Sequence, residues 1–285
     1  MKRILVQLDS DPHPSVFDQV VAYDSGAEQI LSYGAVTAQN CTPLVHGAMF
    51  TRGPGDLKST AIFIGGSKAA DGEAILNQVK ETLFSPLTVS VMLDSNGCNT
   101  TASAAVHCAA RHVALKGVEA VVLGGTGPVG QRAAQILAAE GAKVRLASRQ
   151  LPKAEAACSQ IRQLVPGATI SAAESGDDGL AATLDGAELI IAAGAAGVQF
   201  LTAEEWTAID SLKVIIDLNA VPPLGLGGVE LTDKATEREG VICYGALGVG
   251  GLKMKIHRKA VEQLFESNSQ ILDTFEIHKL GATLA

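Results

Sequence analysis

Three glycines, Gly125, Gly127 and Gly130, stand at G-x-G-x-x-G spacing in the stretch Gly124-Gly125-Thr126-Gly127-Pro128-Val129-Gly130. That spacing suits a pyrophosphate. The first glycine permits a tight turn, the second lets backbone approach the phosphates, and the third lets a helix pack on a strand. Free amides at the start of the following helix, aided by its dipole, bind phosphate oxygens, and Pro128 fits the first helical turn because no internal bond needs its missing N–H. About 20 residues beyond such glycines an NAD enzyme presents Asp or Glu to the ribose hydroxyls. This chain instead reads Ser148-Arg149-Gln150. A carboxylate there would repel a 2′-phosphate, whereas a guanidinium fork and a hydroxyl donate to it, and Lys153 adds charge from the next helix. NADP is therefore the expected cofactor, held by Gly125, Thr126, Gly127, Pro128, Val129, Gly130, Ser148, Arg149 and Lys153. The blander alternative makes Ser148 and Arg149 solvated loop residues.

A second cluster is cationic. Lys253 and His257 are four residues apart on a helix expected from about Leu252 to Phe265, so they share a face. Lys255, Arg258 and Lys259 lie nearby, and a plain basic, solvated face is the competing reading. His107 and His112 are five apart, poorly aligned for one metal ion, and His46 stands alone. No metal site is expected, and no Ser/His/Asp or Cys/His arrangement is evident.

These residues need a scaffold of alternating strands and helices. Ile4 to Leu8 reads as a strand and Pro14 to Tyr23 as a helix. After an irregular stretch come a strand at Ala61 to Ile64, a helix from Ala69 to Leu83 and a strand at Thr88 to Leu93. That alternation implies an α/β unit with a largely parallel sheet. Cys98 to Val113 is alanine-rich and reads as a helical bridge to a second unit. There Val118 to Leu123 is a strand, Gln131 to Glu140 a helix and Lys143 to Ala147 a strand, and the alternation runs on to a strand at Val214 to Leu218 that completes a dinucleotide-binding sheet. The tail after the long helix is expected to pack back on the first domain. Parallel sheets bind ligands beyond the carboxyl ends of their strands. That rule gathers the loops at Asp94, Gly194, Asn219 and Gly245 around an expected cleft between domains, with Gly194 and Asn219 beside the cofactor.

Composition bounds the rest. The 285 residues are 47% hydrophobic and 18% charged, which is globular. With 22 basic against 30 acidic side chains, the net charge of −8 argues against an electrostatic grip on nucleic acid or an anionic membrane. Five scattered cysteines without a CxxC pair suggest neither a disulfide framework nor a zinc site. No apolar run reaches spanning length and no signal-peptide core opens the chain, so a cytoplasmic location is expected.

Several blocks then carry a resemblance: Pro14-Ser15-Val16-Phe17-Asp18, Ser59 to Gly66, Leu93 to Thr101, Gly124 to Gly130, Asn219 to Gly228 and Gly245 to Arg258. From about residue 4 to the C-terminus the chain resembles bacterial NAD(P)-dependent methylene-tetrahydromethanopterin dehydrogenases of one-carbon metabolism. The resemblance implies oxidation of a methylene bridge on a reduced pterin to the methenyl form, with hydride passing to NADP. The carrier is methylene-tetrahydromethanopterin, with methylene-tetrahydrofolate as a second candidate. It also implies a homo-oligomer and two domains. One is an amino-acid-dehydrogenase-like pterin-binding domain over 1–112, completed by about 252–285; the other is a Rossmann domain over 113–251. Phe17, Lys253, His257 and Phe265 are carried over as residues lining the pterin site. Asp94 and Asp217 are candidates by position to accept the pterin's N–H donors. Two other readings stay open: another two-domain NADP oxidoreductase of the shikimate dehydrogenase kind, which needs a lysine and aspartate pair for proton transfer, and a non-catalytic NADP-binding regulator.

Overall fold

The computed structural model describes the backbone throughout and every side chain except those of residues 177 and 178. The chain divides into two compact units: residues 1–100 with 254–284, and residues 101–253 with 285. The first division falls inside a helix rather than at the expected boundary of 112, because that helix continues unbroken past residue 100.

Unit 1 runs β1 (Ile4–Asp9), α1 (Val16–Asp24), β2 (Gln29–Tyr33), α2 (Thr42–Met49), β3 (Thr60–Gly65), α3 (Ala69–Thr82) and β4 (Ser90–Leu93), then enters α4 (Cys98–Ala110). Its five strands are all parallel, in the order β12-β4-β3-β1-β2. β12 (Ile271–Leu272) comes from the tail and pairs with β4, and α10 (Thr274–Gly281) follows it. Every residue of the central β3, T-A-I-F-I-G, is buried, as expected of a parallel strand covered on both faces. Val6, Leu8, Ile62, Ile64, Val91 and Leu93 point to one face and form a core with α2 and α3. The opposite face carries Phe63, whose ring meets His257 of α9 (Ala246–Gln263).

Unit 2 contains β5 (Glu119–Leu123), α5 (Pro128–Ala139), β6 (Lys143–Ser148), α6 (Leu151–Leu164), β7 (Ile170–Glu174), α7 (Asp177–Leu184), β8 (Leu189–Ala192), α8 (Ala203–Thr207), β9 (Val214–Asp217), β10 (Lys234–Arg238) and β11 (Val241–Tyr244). Its sheet has the order β10-β11-β9-β8-β5-β6-β7, and only β10 is antiparallel. Strand order therefore reverses between β5 and β8, the position at which such sheets bind ligands.

Three features depart from the sequence reading. The stretch expected to be irregular holds β2 and α2. β2 is an edge strand with only Ile30 partly covered, so it lacks the alternation that marks a half-buried strand. The sheet of unit 2 does not end at β9, because a hairpin adds β11 and β10. Its two-residue turn, Glu239-Gly240, has φ of 49° and 80°, the left-handed pair of a tight hairpin. The long helix α9 begins at Ala246, ahead of the expected Leu252.

All five cysteines are buried and unbridged. Burial pushes the thiols of Cys108 and Cys243 up to about 11, so both are neutral, small apolar groups at ordinary pH. Among the described residues no helix is long and apolar enough to cross a membrane.

Candidate functional site

At the reversal point of unit 2, the loop after β5 meets the loop after β8. Gly124 turns the chain with φ +68°, and a Cβ there would lie 2.7 Å from the Cα of Gly194. The left-handed turn position is thus Gly124, one residue before the glycine that the motif suggests. Gly130 meets the expectation for the third glycine: its Cβ would stand 2.6 Å from the Gly124 carbonyl oxygen, so only a hydrogen lets α5 sit on the turn. The turn is held by Gly125 N–H donating to the Ala147 carbonyl (3.0 Å) and by Gln131 Nε2 donating to the Thr126 carbonyl (3.1 Å). Gly127 is the N-cap of α5 with no side-chain cap and Pro128 opens the first turn, with Val129 beside it, leaving the turn's amides available to an anion.

A cavity of about 580 Å³ lies over this turn. Gly124, Thr126 and Gly127 line its floor, Ser148, Arg149, Gln150, Lys153 and Ser175 one wall, and Ala193, Gly194, Ala195, Val198 and Phe200 the other. Arg149 and Lys153 are exposed, while Ser148 is 8% exposed and its Oγ accepts the Gln150 N–H at 3.2 Å. Among the described residues no carboxylate lines the wall. Ser175 was not anticipated from sequence. It follows β7, its N–H donates to the Ser148 carbonyl at 3.1 Å, and its buried hydroxyl has no protein partner. A buried hydroxyl without a partner beside a cavity calls for a ligand or water. Cradle glycines, open amides, two cations and two hydroxyls together fit a dinucleotide carrying an extra phosphate. A larger cavity, about 690 Å³, opens among Leu180, Leu184 and Ile209 at the amino ends of β8 and β9, away from every carboxyl-end loop. Position, not size, assigns the site to the smaller one.

Asn219 does not join this cavity. Its side chain is spent on its own loop: Nδ2 donates to the Pro223 carbonyl (3.1 Å) and Oδ1 accepts from Val221 N–H (3.0 Å). Asp217 likewise accepts from Asn219 and Leu226 N–H groups, and burial pushes its carboxyl up.

Unit 1 gathers a second cluster where its sheet order reverses, between β1 and β3. His257 is fully buried, its Nε2 4.0 Å from Asp18 Oδ1 and its Nδ1 3.9 Å from Asp94 Oδ2. Its ring stacks on Phe63 (5.7 Å, 11°) and meets Phe17 at 6.2 Å. Phe17 is 51% exposed, presenting an aromatic face at the start of α1. The basic-face reading therefore holds for part of α9 only. Arg258 pairs with Asp24 and Lys259 with Glu262 and Glu266, whereas His257 faces inward and Lys253, one turn earlier, is half-buried.

Two of the expected ligand contacts are occupied or set apart in the structure. Asp94 is 1% exposed and caps α4: its Oδ1 accepts from Asn99 and Thr100 N–H (3.0 Å each) and its Oδ2 from the Thr100 hydroxyl (2.6 Å). Phe265 is 7% exposed beneath the guanidinium of Arg3, just ahead of β1, and so lies at the amino ends of the strands. The other candidates sit at the carboxyl ends.

Gly250 and Gly251 are interior to α9, yet a Cβ on either would meet nothing within 4 Å. Alanine is favoured over glycine in a helix by about 1 kcal/mol. Gly251→Ala is therefore expected to raise Tm by about 2–4 °C in thermal unfolding. A rise accompanied by lost turnover would mark this open face as one that a ligand approaches.

A glycine turn at the reversal point of a parallel sheet, in a chain with a second parallel α/β unit, is the architecture of a two-domain protein of the Rossmann class. The fold is similar to that of 5-ketofructose reductase from Gluconobacter sp. (TM-score 0.53, 13% identity, covering 100% of this chain and 99% of that one). It is also similar to quinate dehydrogenase from Corynebacterium glutamicum, solved with NAD (TM-score 0.51, 15% identity, 99% of both chains). Sequence comparison narrows the class. A family model described as methylene-tetrahydromethanopterin dehydrogenase, N-terminal, matches residues 16–96. The chain is 46% identical over 287 residues to "Bifunctional protein MdtA" of Methylorubrum extorquens, covering 100% of this chain and 99% of that protein. It is 30% identical over 294 residues to the same organism's NAD(P)-dependent methylenetetrahydromethanopterin dehydrogenase, with the same coverage. The protein belongs to the methylenetetrahydromethanopterin dehydrogenase family and is an oxidoreductase.

Proposed function

We propose that the protein oxidises methylene-tetrahydromethanopterin to the methenyl form by direct hydride transfer to NADP, in one-carbon (formaldehyde) metabolism, with methylene-tetrahydrofolate as a second carrier. The observation that carries this reading is the cavity wall at the end of β6, cationic and, among the described residues, without a carboxylate, in a chain with full-length relatives in this family. NADP supplies the nicotinamide that accepts the hydride. The first-turn amides of α5 bind its pyrophosphate, while Ser148, Arg149 and Lys153 receive the 2′-phosphate and Gly194 leaves room for the nicotinamide end.

A methylene bridge between two nitrogens stabilises its own developing cation through their lone pairs, so no protein base has to remove a proton. What the side chains supply is position and dryness. Phe17 packs on the carrier's ring system and Lys253 orients a carrier oxygen or carboxylate. His257, fully buried, acts through Phe17 and Asp18 as a positioning residue.

The test is the growth of reduced-nicotinamide absorbance with NADP and each carrier in turn, against NAD and shikimate as controls. Absence of turnover with both carriers would overturn the reading.

We extend it to a cytoplasmic homo-oligomer. Val16, Val20 and Tyr23 form an exposed stripe on α1, and Leu31 and Tyr33 are 41% and 40% exposed on the edge strand β2. An uncharged edge beside an apolar helix face supports self-association. Sedimentation at micromolar concentration is expected to show an assembly, and a monomer throughout would remove this part.

A further inference from the structure

Strand order assigns the parts of a dinucleotide to places along the unit 2 sheet. The pyrophosphate belongs over the β5 turn at the reversal point, and the nicotinamide end lies toward β8 and Gly194. The other nucleoside therefore runs the opposite way, over β6 and then over β7, the edge strand on that side. Its ribose phosphate meets Ser148, Arg149 and Lys153 at the end of β6. The base lies one strand further out. Neighbouring strands are about 4.8 Å apart, which is roughly the reach of a purine from its sugar bond to its far edge. In adenine that edge holds a ring nitrogen acceptor beside the 6-amino group. We propose that the Ser175 hydroxyl, just after β7, receives this edge and makes the protein select adenine, separately from its choice between NADP and NAD; this deepens the functional reading and rests on its cofactor half.

Ser175 is the cavity-lining residue furthest along the sheet from the glycine turn. Its backbone is fixed on both sides. Its N–H donates to the Ser148 carbonyl at 3.1 Å, and the carbonyl of Glu174 just before it accepts the Thr183 hydroxyl at 2.7 Å. Its own hydroxyl is the part left over, closed off from solvent and without a protein partner. Ser148 differs, since its Oγ already accepts the Gln150 N–H. A serine hydroxyl both donates and accepts, which suits an acceptor nitrogen next to a donor amino group. No hydrogen bond has to break for it to turn about its Cα–Cβ bond into another staggered position on the cavity side.

Charge separates the two halves of this corner. Arg149 and Lys153 suit a phosphate, whereas a neutral base gains nothing from a full charge. Glu174 would supply one, but its side chain is turned to α7: a Cβ on Gly179 would meet its Oε2 at 3.2 Å. Among the described residues, the end of β7 therefore gives the cavity a neutral hydroxyl.

The experiment is equilibrium calorimetric titration, with no turnover involved, of the parent protein, Ser175→Ala, Ser175→Thr and Arg149→Ala. Each is titrated with NADP, NAD and etheno-NADP, in which a two-carbon bridge ties the 6-amino nitrogen to the adjacent ring nitrogen and closes the edge. A thermal melt first checks that every variant is folded. The parent should bind NADP about 10-fold or more tightly than etheno-NADP. Ser175→Ala should bind NADP about 5- to 10-fold more weakly, the scale of one neutral hydrogen bond, and prefer it to etheno-NADP by less than about threefold, with the ratio of NADP to NAD unchanged. Ser175→Thr keeps the hydroxyl and should keep part of the adenine preference. Arg149→Ala should do the reverse of Ser175→Ala, losing the preference for NADP over NAD and keeping that for unmodified adenine. A purely structural role for Ser175 would weaken all three nucleotides together and leave both ratios intact, which overturns the assignment. A Ser175→Ala protein that loses the preference for NADP over NAD instead also overturns it, because the hydroxyl would then serve the phosphate. If the parent binds none of the nucleotides, the cofactor reading falls first and this assignment with it; if it binds NADP but turns over neither carrier, only the carrier half falls.

Discussion

Lys253→Ala is expected to lower kcat/KM for the carrier by about 10²- to 10³-fold while leaving NADP affinity unchanged, a loss of the size seen when one preorganised polar contact is removed from an active site. Hydride transfer needs the donor carbon and the nicotinamide at about 3–3.5 Å with aligned orbitals, so misplacement by a single ångström costs about two orders of magnitude. Lys253 stands one helical turn before His257 on α9 and is half-buried, which places its ammonium where α9 is neither core nor fully solvated. An ammonium directly beside a forming cation would oppose the reaction, so the expected partner is an oxygen at a distance from the reacting carbon. Lys253→Arg keeps the charge but changes reach and shape, and should recover only part of the loss. Stopped-flow single-turnover rates separate the chemical step from release. A kcat/KM within threefold of the parent would remove Lys253 from the site.

Arg149→Ala is expected to cut kcat/KM for NADP by about 30- to 100-fold and to leave that for NAD within about threefold, because charge-assisted bonds to a phosphate contribute about 1.5–3 kcal/mol. The effect belongs to one corner of the cavity, where Arg149 and Lys153 face Ser148 and Ser175. Both cations are exposed, so raising the ionic strength should narrow the gap between NADP and NAD in the parent. Equal efficiencies with the two cofactors in the parent would defeat the assignment before any substitution is made.

What the chain discloses depends on how local each determinant is. The runs A-V-V-L, L-I-I-A and V-I-I-D become buried parallel strands because a central strand needs apolar residues on both faces. β2 escaped because an edge strand needs no such pattern, and the β10–β11 hairpin because K-A-T-E-R is polar and its turn uses Glu239 before Gly240. The glycine turn is legible since its spacing is its geometry. Ser175 is not, since it reaches the cavity only through the pairing of β7 with β6, although a residue just after the next strand in order is a reasonable place to look. Phe265 stands apart from the other candidates because α9 runs six residues, about 9 Å, beyond His257 before it ends at Gln263. Asp94 is ambiguous in sequence because an aspartate after a strand and before a helix is as well suited to hold the helix start, as it does here, as to hold a ligand.

Unit 1 is assembled from two stretches of chain that leave the ribosome far apart. Residues 101–253 are contiguous and can close on themselves as they emerge, whereas β4 waits with an open edge until β12 follows them. His257, which backs Phe17 and Asp18, arrives equally late. During translation unit 2 can therefore be complete while unit 1 is not. A chain cut just after residue 253 would hold every strand of unit 2 and lack β12 of unit 1.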